Sequence, residues 1–131
     1  MFYTSNTFVS YNHPLKEADV VFLGIPFAST SVSKPAIYGP VMVRESLKLT
    51  EDFVHVRSAK SYGKNIFENL KVCDLGDLEI VPGSYELTAD RIKQTIEDIK
   101  NENREAFLIF IGGEHLITLP IVEAIKPKTI V

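Results

Sequence analysis

The sequence is poor in the features that place a chain in a class at once. It has one cysteine, Cys73, and no tryptophan. A lone cysteine cannot close an internal disulfide, which excludes the stapled secreted scaffolds. Cys73 reads as a small buried hydrophobe in a strand. No apolar run reaches the about 18 residues that a membrane helix needs. Met1 to Pro14 is polar and aromatic and lacks the charged-then-apolar layout of a signal peptide, so the expected location is the cytoplasm. Charge of one sign is also scarce. The 17 acids and 14 bases leave a net charge of -3, and the one basic grouping is Arg57, Lys60 and Lys64. A nucleic-acid partner would want a basic face that is not there. Phosphate-binding glycine motifs are missing too: there is no P-loop, and neither Gly24 nor Gly112 begins a G-x-G-x-x-G.

What remains is the composition of an ordinary globular domain. Hydrophobic residues are 45% of 131, enough for one core of modest size. Asp19 to Leu23 is a short apolar run closed by Gly24-Ile25-Pro26, the pattern of a strand buried on both faces of a parallel sheet. Phe27 to Tyr38 is rich in Ser, Thr, Pro and Ala without a period, and reads as a long loop. Gly39-Pro40 opens a helix, because proline suits the first helical turn, with Val43, Leu47 and Met42 as its apolar stripe. Thr50 to Asn69 has no clear period and reads as loop with short irregular pieces.

The second strand runs from Lys71 to Leu75, closed by Gly76-Asp77, and Pro82-Gly83 marks a turn. A long helix follows from Tyr85 to Glu102, with Ala89, Ile92, Ile96 and Ile99 on one face. Ala106 to Ile111 is the strongest strand, six apolar residues without a charge. A last helix spans Thr118 to Ile125, closed by Lys126-Pro127, and Lys128 to Val131 begins a further strand. This alternation implies an α/β fold, a parallel sheet with helices on its faces and right-handed crossovers.

Ligands of such sheets bind at the carboxyl ends of the strands. Three segments lie there: the loop from Gly24, the turn Asp74 to Asp77, and Gly112-Gly113-Glu114-His115. The last is the sharpest. Two glycines allow a tight turn and close backbone approach, and Glu114 and His115 are then presented at the rim. Imidazole is a common metal ligand and a neighbouring carboxylate can orient it. Equally, His115 could be a helix-start residue satisfied locally. Asp74 and Asp77 read as turn and capping residues. Ser29, Thr30, Ser31 and Ser33 are hydrogen-bonding turn residues or a substrate rim, with no base beside them to mark a nucleophile. His13 and His55 read as surface residues.

Four stretches together resemble the ureohydrolase family of arginases, agmatinases and formiminoglutamases, and the agmatinases most. They are Phe22 to Phe27 with Ser29-Thr30-Ser31; Tyr38-Gly39-Pro40 with Arg44-Glu45-Ser46; Asp74 to Asp77 with Tyr85-Glu86 and Thr88 to Ile92; and Ile111 to His115 with Ile117 to Pro120. The resemblance implies a three-layer α/β/α fold of the arginase-like type, usually a homo-oligomer. It also implies a pair of manganese ions that activate water to hydrolyse a small guanidino substrate, releasing urea, and in agmatinases putrescine. By the match His115 corresponds to the first metal ligand. Glu114 corresponds to the acid beside it, which would orient the imidazole without binding metal.

Departures accompany the match. Ala28 stands where the family's loop normally has an acid, Leu116 where a serine usually follows the metal histidine, and Lys34-Pro35-Ala36 replaces a stretch that often carries Arg and Gly. The family's other ligands lie in an Asp-Ala-His-x-Asp motif, expected within a few residues after Val131, and in a later Asp-x-Asp motif. Residues 1–131 are therefore expected to be the N-terminal portion of one such domain, an incomplete sheet with an open edge. One imidazole cannot build a two-metal site, so no catalytic residue is assigned and the chain alone is expected to be inactive. A complementing C-terminal part is one expected partner. Two other readings keep less of the match: a truncated relative acting as a binding module, and a small flavodoxin-like receiver or carrier domain.

Overall fold

The computed structural model describes residues 12–29, 34–47 and 70–126. The expectations for Thr30, Ser31, Ser33, His55, the basic group 57–64, the segment 50–69 and the final strand from Lys128 lie outside the described residues. Three strands form one parallel sheet: β1 (Val20–Ile25), β2 (Val72–Asp77) and β3 (Phe107–Gly112), in the order β2-β1-β3. The helices are α1 (residues 39–47), α2 (Tyr85–Glu102) and α3 (Thr118–Ile125). Single 3-10 turns cover Leu15–Glu17, Lys34–Tyr38 and His115–Ile117.

The two best-patterned helices form as their sequence dictates. Ser84 caps α2 by accepting the Leu87 N–H, and Ala89, Ile92, Ile96 and Ile99 are all buried. α3 ends on Lys126 in the left-handed conformation, which closes the helix before Pro127. α2 and α3 pack together on one face of the sheet. There Val21, Leu23, Ile25, Cys73 and Leu75 meet Ile92, Ile96, Ile99 and Ile121 in a single cluster, with Leu108 and Phe110 against it.

Side chains alternate along a strand, so Phe22 and Gly24 point to the opposite face. Phe22 pairs with Asp74, and Asp74 is gripped by Arg44 of α1. α1 therefore lies on the face that α2 and α3 do not cover, and the three layers are α2/α3, sheet and α1. The two edges of the sheet differ. The outer edge of β2 is covered by the chain just before the first 3-10 turn. His13 N–H donates to Val72 O, and the Asn12 amide both donates to Asp74 O and accepts the Asp74 N–H, at 3.1 and 2.7 Å. β3 has no backbone strand partner other than β1 among the described residues, and Phe107 at its start is 67% exposed. Among the described residues, the edge without a strand partner is that of β3.

Three expectations change. The strands run further than their apolar cores. β1 continues through Gly24 and Ile25, and β2 through Gly76 and Asp77, because a register shift after Phe22 fits an extra β2 residue against β1. Gly76, at φ 82, makes that bulge. The loop Phe27 to Tyr38 ends in a 3-10 turn over Lys34–Tyr38. The apolar stripe assigned to α1 is exposed: Met42 is 60%, Val43 39% and Leu47 39% accessible. The helix docks instead through Pro40 and Arg44, four residues apart on one face. Two acids at the end of β2, Asp74 and Asp77, hold that face through Arg44.

Candidate functional site

α1 lies across the carboxyl ends of all three strands. At its start Gly39 sits against the carbonyl of Gly112 at the end of β3, so closely that a Cβ would collide with it. One residue on, Pro40 rests over Gly24 of β1, where a Cβ on Gly24 would come within 2.9 Å of the proline Cβ. Arg44 then reaches β2. The axial rise from residue 39 to 44 is about 7.5 Å. With one long side chain, that matches the about 10 Å between the outer strands of a three-stranded sheet.

The Arg44 guanidinium is fully buried. Its Nε and Nη2 donate to the two carboxylate oxygens of Asp74 at 2.8 and 3.0 Å, and Nη2 also donates to Gly76 O at 2.8 Å. Nη1 donates to the Asp77 carboxylate. Burial alone disfavours the charge, but the hydrogen bonds and charges of Asp74 and Asp77 outweigh it and raise the guanidinium pKa above its ordinary value. The turn chemistry read for Asp74 is present as well, since its Oδ1 accepts the Gly76 N–H at 2.9 Å. It accounts for only part of the residue's role. Asp74 and Asp77 are jointly committed to an arginine about thirty residues earlier in the chain.

The turn after β3 docks on the exit from β1. Gly113 N–H donates to Ile25 O and Glu114 N–H to Phe27 O, at 3.1 and 2.9 Å. Gly113 packs directly on the Phe27 backbone, leaving no room for a Cβ. Glu114 is buried, and His115, which opens the 3-10 turn, is exposed at the rim. The helix-start and rim readings of His115 thus describe the same position. Leu116 turns inward against the core. Ser29 is exposed and Ala28 half-buried beside the same rim. His13 contributes its backbone to the β2 edge, away from the turn after β3.

Glu114 and His115 lie at the carboxyl edge, as their place after a buried strand implies, and Arg44, which no local pattern marks, belongs to that edge too. The available signal was an arginine four residues after a helix-opening proline, with two acids three residues apart at a strand end. Nothing local connects them.

The profile of the arginase family matches residues 18–129. The N(1)-aminopropylagmatine ureohydrolase of Thermococcus kodakarensis is 37% identical over 117 residues, covering 88% of this chain and 38% of that protein. The agmatinase of Pyrococcus horikoshii is 36% identical over 118 residues, covering 89% of this chain and 39% of that one. Among solved structures, the agmatine ureohydrolase of Thermoplasma volcanium superposes with a TM-score of 0.70 at 27% identity, over 93% of this chain and 39% of that chain. The chain spans about two fifths of the length of these relatives.

Proposed function

Since the chain belongs to the arginase family, we propose that it forms the N-terminal portion of a single agmatinase-like ureohydrolase domain. That domain would carry out manganese-dependent hydrolysis of a guanidino C–N bond, releasing urea and, from agmatine, putrescine. The observation that carries this reading is the Gly112-Gly113-Glu114-His115 turn. It ends β3, is pinned by backbone hydrogen bonds to Ile25 of β1 and to Phe27 just after it, and leaves the His115 imidazole exposed at the rim. The two relatives named as a ureohydrolase and an agmatinase support the substrate class.

The chain's own residues supply one corner of such a site. No group of three or more His, Cys, Asp or Glu that could hold a metal ion occurs among the described residues. Asp74 and Asp77, the other acids at the strand ends, are engaged by Arg44. A manganese ion wants about six hard ligands in an octahedral shell, so the described residues do not fit a dinuclear site. Glu114 and His115 offer a buried carboxyl beside an exposed imidazole. The rest of the ligand set would lie outside the described residues.

A second reading is favoured by Ala28, Leu116 and the committed acids: a non-catalytic relative that acts as a binding module. One experiment separates the two. The chain is mixed with a polypeptide corresponding to the remaining three fifths of the Pyrococcus horikoshii agmatinase, in manganese and agmatine, and urea release is followed. Release from the mixture alone, abolished by His115→Ala, supports the hydrolase reading. Complex formation without release supports the module. Release that survives His115→Ala removes the assigned role of the imidazole.

A further inference from the structure

The carboxyl end of β2 is built to hold one guanidinium ion, and Arg44 fills it. We propose that Asp74, Gly76 and Asp77 form a guanidinium-binding site that exists independently of the α1 backbone. The Arg44 side chain would be its tethered ligand, and its occupancy would lock α1 across the strand ends. The inference concerns this box alone and stands apart from the proposed hydrolysis, whose substrate would need a site that is not already filled.

The shape of the cation is what the box reads. One edge of the guanidinium, Nε and Nη2, meets both oxygens of a single carboxylate, the fork geometry that only a planar guanidinium can satisfy. Nη2 has a second acceptor in Gly76 O, and Nη1 meets a second carboxylate. Four of the five N–H donors of the group are engaged. An ammonium ion is a point charge and would leave the forked acceptors half-used.

The acceptors are held by the sheet and not by the arginine. Asp74 Oδ1 is fixed by the Gly76 N–H, and the Asp74 backbone by both atoms of the Asn12 amide. The positive φ of Gly76 belongs to the β2 bulge. Asp77 rests on Gly24, where the missing Cβ leaves the room it occupies. The Arg44 and Asp74 side chains are both 0% accessible. Removing the side chain beyond Cβ should therefore leave a preformed, doubly acidic cavity that a free guanidinium ion can enter.

The test uses the full chain and Arg44→Ala, with thermal unfolding measured in 0 to about 50 mM ethylguanidinium chloride or ethylammonium chloride at equal ionic strength. The variant is expected to melt about 10 °C or more below the parent. Ethylguanidinium should restore several degrees along a saturating curve, as a ligand of the native state does. Ethylammonium should restore nothing, and the parent, with its box filled, should gain nothing from either. Equal rescue by both cations, no rescue by ethylguanidinium, or equal gain by the parent would each overturn the proposal. Should Arg44→Ala not fold, proton exchange at Nε–H in the 15N-labelled parent decides instead. The Arg44 signal is expected to exchange at least about a hundredfold more slowly than that of the more open Arg91. Comparable rates would overturn the proposal.

Discussion

Arg44 and Asp74 meet through two hydrogen bonds, Nε to Oδ2 at 2.8 Å and Nη2 to Oδ1 at 3.0 Å, with neither side chain accessible to solvent. A helix on one face of the sheet is thereby tied to the strand that follows it in the chain. Breaking a buried pair from one side strands the other charge, which costs about 3–5 kcal/mol. Asp74→Asn is expected to lose that much in urea unfolding. Asp77→Asn should cost clearly less, about 1–2 kcal/mol, because the Asp77 side chain is 21% exposed and water can replace part of the interaction. Equal losses at the two positions would contradict the assigned roles.

The turn that carries His115 depends on the close approach of Gly113 to Phe27. The nearest atoms to a Cβ at 113 are the Phe27 backbone O, C and N, none of which can rotate away. Gly113→Ala is expected to cost about 1–3 kcal/mol through a backbone shift. Gly83 makes the control. It has positive φ but nothing within 4 Å of a Cβ, so Gly83→Ala carries only the conformational cost of about 1 kcal/mol. A Gly113→Ala protein as stable as the Gly83→Ala one would show that the contact is slack.

Thr95 lies inside the α2 interface at 0% exposure, and its Oγ1 has no hydrogen-bond partner among the described residues. A buried hydroxyl without a partner carries a desolvation cost that an isosteric methyl does not. Thr95→Val should raise the unfolding free energy by about 1 kcal/mol, read as a higher urea midpoint at unchanged slope. A lower midpoint would mean that the hydroxyl is satisfied.

Cys73 is buried in β2. Burial first, then the nearby charges of Asp74 and Glu102, raise its thiol pKa above the ordinary value. The folded state thus keeps a proton that the unfolded chain gives up. This contribution to stability is complete below the unfolded pKa of about 9 and is lost as pH rises from there towards the folded value. Stability should therefore fall with this group's titration only above about pH 9, and Cys73→Ala should flatten that part of the curve. Alkylation of the native thiol at pH 8 should be at least about tenfold slower than in urea. Equal rates would place the thiol in contact with solvent.

Legibility in the sequence followed how local each feature's cause was. α2 and α3 were readable to their ends, because the 3.6-residue apolar period of α2 and the Lys126-Pro127 stop after α3 each act within one or two turns. The strands were readable by their apolar cores but not to their ends. Gly24, Ile25, Gly76 and Asp77 extend the ladders only because a neighbouring strand offers a partner in shifted register. The apolar stripe of α1 pointed the wrong way, since the helix had a polar anchor that its own pattern does not show.

By itself the sequence determined the α/β alternation, the position of the Gly-Gly-Glu-His turn at a strand's carboxyl end, and the family, because hydrophobic period and short motifs are properties of neighbouring residues. Only the tertiary structure decided that α1 crosses three strand ends and that Arg44 takes both nearby acids out of play. It also decided that the outer edge of β3 is left without a strand partner among the described residues. Each of these turns on whether segments far apart in the chain meet. Such contacts depend on which edges and faces meet when the sheet forms, and no local pattern carries that information.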